Sequence, residues 1–377
     1  MNFTQIPKWF NFKRSFLLIG ILWVTIHSFL FYRYGIVTQF EATKYIEQAD
    51  FFLQTGHFTS KNFIFYSTEI FLIIISKSTN TFPWGVVLFQ LLLNAISVAL
   101  FYKLGLFFTK NHFRSFIITV LFISMIYYQI YNLYLFTESI YFSLGIIYTY
   151  FLFTRTKLTF KNICLIILGM SILYFTRPIG VFFIPSTFIY ILLRFYRIKS
   201  LFTIPILILS ALFYFLLSAV INSGGELNFL KPYIYEMVIC GIPTVKDPNI
   251  VFLNINGNQL EKLWLILTNQ TSLFGQLAIK RLIAFYGVVR SYYAQSHNIF
   301  IAIFFYTVYI LAIINFRKQT KIFLPQTIYF ICLIFFLTIT VMLSCDEWHN
   351  RFILGILPFF ILMAANVFLN DSRKTHS

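Results

Sequence analysis

Residues 322–344 read IFLPQTIYFICLIFFLTITVMLS, a run of 23 residues without a charged side chain. About 20 mostly apolar residues cross the roughly 30 Å hydrocarbon core of a bilayer as a helix. The flanks of this run differ in kind: Arg317, Lys318 and Lys321 precede it, whereas Cys345, Asp346 and Glu347 follow it. Cytoplasmic loops of membrane proteins collect Lys and Arg. The segment therefore predicts both a crossing and a direction, from the cytoplasm outward.

Nine other segments qualify in the same way: 15–32, 84–108, 114–134, 139–154, 162–176, 179–193, 201–221, 299–316 and 352–370. Together they predict an all-α, polytopic protein with about ten transmembrane helices, a single membrane domain over residues 1–377. With a cytoplasmic N-terminus and strict alternation, the inner loops hold 17 of the 29 cations and one acid, Asp371, a net charge of +16. The outer side then holds 12 cations and 11 acids, a net of +1. An eleventh apolar stretch, 63–76, is shorter and interrupted by Glu69. Counting it as a crossing would invert the segregation, so it is read as re-entrant or interfacial. Both termini are then cytoplasmic in the plasma (inner) membrane, and the two substantial outer segments are 33–83 and 222–298. No small-residue cleavage site follows the first apolar run after Lys13-Arg14, which reads as a retained helix rather than a signal peptide.

The composition excludes several classes. Apolar residues make up 59% and charged residues 11%, against about 25% charged in soluble domains. An ordinary soluble enzyme, a disordered chain and a disulfide scaffold are ruled out. A nucleic-acid partner is not indicated by the net charge of +17, because such binders display their charge on a polar surface. The 50 Phe and 24 Tyr reflect compositional bias. Cys164 and Cys332 fall inside spans as apolar filler. Cys240 and Cys345 fall outside, where free thiols and a disulfide are both compatible with the sequence.

Inner loops are short and basic, so any chemistry belongs to the outer face, where nucleotide-activated donors are not available and an activated group must be carried by lipid. In the first outer segment, Tyr45, Ala49, Phe52 and Leu53 share one face of a helix stopped by Gly56, an amphipathic helix along the membrane. Glu41 stands at its start. A carboxylate there can take a proton from a hydroxyl nucleophile, or simply answer the helix dipole. Glu138, in Thr137-Glu138-Ser139, is an isolated acid at the outer end of a hydrophobic hairpin, and such groups are functional, paired or snorkelling. Arg177, in Thr176-Arg177-Pro178-Ile179-Gly180, can pair with Glu138 or Glu41 or bind a phosphate bidentately. Residues 290–298, from Arg290 through Tyr293 and His297 to Asn298, suit phosphate headgroups or plain interfacial anchoring. Asp346, Glu347 and His349 could ligate a metal, without diagnostic spacing.

The order of these motifs, closing with Asn350-Arg351-Phe352 and Pro358, resembles the GT-C superfamily of integral membrane glycosyltransferases. Bacterial protein O-mannosyltransferases and lipid A aminoarabinose transferases are the most similar branches. The family has Asp where Glu41 stands and often a second acid where this chain has Ala42. Its Pro-rich patch is replaced here by Phe65-Tyr66-Ser67. The resemblance implies an enzyme that moves a sugar from a polyprenyl-phosphate donor to an acceptor hydroxyl on a glycan, lipid or protein, with inversion and without a cofactor. It implies Glu41 as base, and Arg177, Arg290 and Arg351 on the donor phosphate. Glu138, Tyr45, Tyr293, His297 and His349 are then substrate-binding positions. A lipid-linked sugar flippase or transporter is the competing class, although charges at mid-membrane and repeated halves, usual in transporters, are not evident. A polysaccharide polymerase or ligase would use the same donors.

Overall fold

The computed structural model describes residues 11–196, 203–223, 230–245, 258–318 and 324–365. The inner-loop cations Lys8, Arg197, Lys199, Lys321, Arg373 and Lys374 lie outside the described residues, as do parts of the 222–298 segment. In chain order the helices are α1 Phe12–Tyr34, α2 Glu41–Thr55, α3 Ser67–Ser78, α4 Trp84–Thr109, α5 His112–Ile123, α6 Ile126–Gln129, α7 Thr137–Thr154 and α8 Phe160–Thr176. They continue with α9 Phe183–Ile191, α10 Thr203–Ile221, α11 Lys231–Ile234, α12 Gln259–Asn269, α13 Thr271–Gly287, α14 Gln295–Lys318, α15 Leu324–Leu343 and α16 Arg351–Ala365. Among the described residues, extended pairing is limited to two isolated bridges.

Over its described residues, each of the ten apolar segments is mostly helical. Among the described residues, six helices are long and apolar enough to cross a membrane, and a bent pair makes up to seven; the chain is membrane-embedded. The bent pair corrects the expectation of one continuous span over 114–134: His112–Ile123 and Ile126–Leu133 meet at 66°. Ser124 turns its hydroxyl back onto the Leu121 carbonyl at 2.9 Å, and Met125 leaves helical geometry at ψ 82°. Side-chain bonding to a helix's own carbonyls bends helices. The 63–76 stretch is a 3₁₀ turn, Lys61–Tyr66, running into α3. Glu69 on α3 is fully buried and receives Gln90 Nε2 of α4 at 3.3 Å on each oxygen.

The last helix is the centre of the bundle. Twelve of the 15 residues of α16 are buried, and it packs against α4, α5, α7, α14 and α15. A helix that is apolar all round belongs inside. Interhelical hydrogen bonds of the kind that join membrane helices tie α1 to its neighbours. Trp23 Nε1 donates to Asn94 at 2.8 Å, the His27 ring meets Asn132 Nδ2 at 3.0 Å, and Ser139 donates to Asn132 Oδ1 at 2.7 Å.

The amphipathic helix α2 is present, with Gly56 in left-handed geometry as its stop. Its buried face differs from the expected one. Ala42, Tyr45, Gln48 and Ala49 face inward, while Leu53 remains 49% exposed. Tyr45 and Ala49 are on the expected face, and the packing of α2 on α3 adds Ala42 and Gln48 to it in place of Leu53.

The Thr-Arg-Pro-x-Gly turn is explained by sterics. The residue before a proline is pushed out of helical geometry, so α8 stops at Thr176 and Arg177 is extended at φ −151° and ψ 144°. A 3₁₀ turn, Pro178–Phe182, follows. A Cβ on Gly180 would lie 2.2 Å from the Leu173 carbonyl oxygen and 2.8 Å from the Tyr174 nitrogen. Gly180→Ala must therefore displace this turn and lower stability by about 1–3 kcal/mol, read as a fall in the thermal midpoint of the purified protein in detergent. An unchanged midpoint would disprove the close approach.

Candidate functional site

Two chain crossings set the site. Val37 N–H donates to the Leu133 carbonyl at 2.9 Å, and Leu135 N–H to the Val37 carbonyl at 3.2 Å. This brings the end of the α1–α2 linker beside the start of α7, and so Glu41 beside Glu138. On the other side, Cys240 N–H donates to the Asp346 carbonyl at 2.8 Å, and Asp346 N–H to the Val238 carbonyl at 2.9 Å. A Cys240–Cys345 disulfide closes the same junction. Arg281, fully buried, donates to the carbonyls of Met237, Met342 and Pro232 at 2.9–3.1 Å.

At the centre stands Arg351, the first residue of α16. Its Nη1 pairs with Glu41 and, at 2.9 Å, with Glu138; its Nη2 pairs with Glu347 at 2.8 Å. Arg177 pairs with Glu138 from the other side. Lys44 Nζ at 2.7 Å and Tyr45 hydroxyl at 2.9 Å both donate to Glu41 Oε1. Three carboxylates thus face three cations. Glu138 is fully buried and Arg177 is 6% exposed, so each charge is offset only by its partners. Burial pushes the Tyr45 phenol well above its ordinary range, which keeps it a donor to Glu41.

The two residues that supply the base candidate and the central cation are both preceded by unusual backbone. Phe40 has φ +60° and ψ −125°, and His349 and Asn350 have φ +56° and +59°. Left-handed conformations in non-glycine residues cost of order 1–3 kcal/mol each and cluster at functional sites.

Two cavities meet at the cluster. The larger, about 690 Å³, has Glu41 and Arg351 on its wall together with Tyr293, His297 and His349. The smaller, about 350 Å³, is apolar and carries Arg177 and Glu347 beside residues such as Phe182, Phe213, Leu217 and Phe336. Tyr45 and Glu138 stand behind these walls as buried supports. Arg290 does not join them. It is 4% exposed, pairs with Asp346 and donates through Nη1 to the Ala284 carbonyl at 2.7 Å and the Val289 carbonyl at 3.3 Å. Asp346 and Glu347, read from sequence as metal-ligand candidates beside His349, instead hold Arg290 and Arg351.

Glu347, Lys44 and Tyr127 were not among the substrate-binding positions drawn from sequence. The i, i+4 spacing of Glu347 and Arg351 at a helix start was the available signal for the first. Comparison with family models, curated proteins and solved structures finds no match for this chain.

Two consequences can be measured. Removing one partner of a buried ion pair costs about 3–5 kcal/mol. Arg290→Gln should therefore lower the thermal midpoint sharply; a normally stable variant would return Arg290 to the list of ligand-binding groups. Glu347 is raised from 4.5 to about 7, by burial, with Arg177 pulling the other way. An acid raised in the folded state stabilises below its unfolded value and loses that contribution as pH rises through the folded value. Between about pH 4.5 and 7 the wild type should lose stability relative to Glu347→Gln. The loss is at most about 3 kcal/mol, tempered because the Glu347 side chain keeps 22% of its surface exposed. A pH-independent difference between the two proteins would contradict the assignment.

Proposed function

We propose that the chain is a GT-C-type membrane glycosyltransferase, with all ten apolar segments crossing the plasma membrane and both termini cytoplasmic. It transfers a sugar from a polyprenyl-phosphate donor to an acceptor hydroxyl at the outer face. The observation that carries this reading is the position of the ion cluster between two cavities, with Glu41 and Arg351 on the wall of one and Arg177 and Glu347 on the wall of the other.

The apolar cavity suits the prenyl chain, and Arg177 is the cation on its wall. A donor phosphate arriving there competes with the carboxylates for Arg177 and Arg351. Arg351 is the ligand of Glu41 Oε2, so its transfer to phosphate frees that oxygen. Donor arrival thereby activates the base. Glu41 then takes the proton of the acceptor hydroxyl, the hydroxyl oxygen bonds to the anomeric carbon, and the carbon–phosphate-oxygen bond breaks with its electron pair going to the phosphate. The two arginines hold the negative charge that grows on the leaving group. Attack from the larger cavity and departure toward the smaller one favour inversion. Arg290 supports the turn that carries Glu347 and takes no part in donor binding. No cofactor is required by this scheme.

A general base contributes about 10²–10⁴-fold. Glu41→Gln should lower transfer from labelled polyprenyl-phosphate sugars to an envelope glycan, lipid and protein fraction by that factor. Glu41→Asp should retain part of the rate. Transfer at the wild-type rate without Glu41 would eliminate it as base. Movement of the labelled lipid across liposomes without any covalent product would replace the enzyme with a flippase.

A further inference from the structure

The larger cavity contains a row of four rings from three parts of the chain. Tyr127 of α6 stacks on His297 of α14 with centroids 3.7 Å apart and planes 4° apart. His297 stacks on Tyr293 at 3.9 Å and 12°, and Tyr293 faces His349 at 5.9 Å and 15°. All four line the cavity. In such a row the faces of the inner rings are covered by one another. The row adds phenol hydroxyls and imidazole nitrogens to the residues that line the cavity. His297 Nε2 is buried without a hydrogen-bond partner, a costly state for a polar atom. Tyr34, Tyr131 and Tyr134 line the cavity as well.

The charge of the cavity narrows the ligand. Among the described residues of its wall, Glu41 and Arg351 are the charged ones, and they are paired to each other. Arg351 also holds Glu138 and Glu347, so with the donor phosphate on Arg351 the wall keeps no cation for a second, anionic ligand. A peptide added as an extended strand is held through main-chain hydrogen bonds to an exposed sheet edge, and the described residues have no sheet, only two isolated bridges. A lipid chain belongs to the smaller, apolar cavity. A wall rich in aromatic rings that also carry hydrogen-bond donors and acceptors matches a compound bearing many neutral hydroxyls on an apolar ring skeleton. A hydroxyl both donates and accepts, so it satisfies an imidazole nitrogen in either tautomer. The volume of about 690 Å³ lies within the range of about 300–1,000 Å³ usual for ligand pockets.

Building on the glycosyltransferase reading, we infer that the acceptor is a neutral saccharide, bound along the Tyr127–His297–Tyr293–His349 row with its reacting hydroxyl at Glu41. The row selects glycan over peptide and lipid acceptors, because a site built to hydrogen-bond hydroxyls rejects ligands that lack them.

Trp348 also lines the cavity and reports occupancy through its fluorescence. The test presents the full chain in detergent with neutral oligosaccharides, uronic-acid oligosaccharides and Ser/Thr peptides on a printed array. Neutral binders are then titrated against Trp348 emission, with Trp348→Phe as the control. Neutral glycans should bind and shift the emission. Tyr127→Ala and His297→Leu should each weaken them about tenfold, the scale of a lost ring contact or hydrogen bond, and raise the acceptor KM while leaving the donor KM unchanged. Tyr127→Phe, which keeps the stack and loses only the hydroxyl, should fall between wild type and Tyr127→Ala and guards against a folding artefact. Binding by none of the neutral glycans, a preference for uronic acids or peptides, or neutral binding that is indifferent to both substitutions overturns the inference. Glu41→Gln separates it from the enzymatic reading, since it should end transfer and keep glycan binding. Transfer to a peptide or lipid hydroxyl sinks the saccharide site alone. Glycan binding without transfer from any lipid donor sinks the enzyme alone.

Discussion

One guanidinium holds the molecule's polar interior together. Arg351 bonds three carboxylates that arrive from three separate elements: Glu41 from α2, Glu138 from α7 and Glu347 from the turn before its own helix. Without it, three acids would face one another in a site where Glu138 has no access to water. Burying even one unpaired carboxylate is costly enough that the group would sooner take up a proton. Arg177 and Lys44 bring the count of cations to three, against three acids. The geometry suits an arginine in particular, because a planar fork reaches acids on two sides at once and an ammonium does not.

The surrounding architecture can be read as what such a cluster demands. Its members must be held rigidly, or the pairs would exchange for water. The two chain crossings, the disulfide and the three carbonyls gathered by Arg281 hold the turns. The left-handed residues Phe40, His349 and Asn350 aim the side chains that follow them. Strained backbone immediately before both Glu41 and Arg351 is strain that the packing of α2 on α3, and of α16 inside the bundle, must offset. Packing supplies it: Tyr45 and Ala49 on α2 are fully buried, and most of α16 is as well.

Much of this is visible in the sequence, and what is not has identifiable causes. Long apolar runs announce themselves because a membrane helix is defined by its own composition, and the described parts of the ten segments are mostly helical. Glu41, Glu138, Arg177 and Arg351 stand out because an ionisable residue in an apolar setting is conspicuous, and the structure brings all four into one cluster. Arg290 has the same local appearance and a different place, because its partner Asp346 lies 56 residues away and no local pattern announces a distant acid. The face of α2 is legible only in part, Tyr45 and Ala49 but not Ala42 and Gln48, for a related reason: periodicity says that a helix has two sides, not which neighbour it meets. Tyr127 is hidden by numbers. Among 24 Tyr, the one stacked on His297 is distinguished only by its position in space. The break after Ile123 escapes hydropathy altogether, since Ser124 changes the direction of the helix without changing how apolar it is.

The ion pair between Glu41 and Arg351 joins residues 310 apart in the chain, near its beginning and near its end. During synthesis Glu41 and Glu138 are therefore made and inserted long before their shared cation exists. Until the last helix takes its place in the middle of the bundle, the first helices enclose an incomplete set of charges and an unfilled centre. The central guanidinium therefore joins acids that already have a first partner, Glu41 with Lys44 and Glu138 with Arg177. Docking of α16 couples the filling of the bundle's centre to the completion of the polar site.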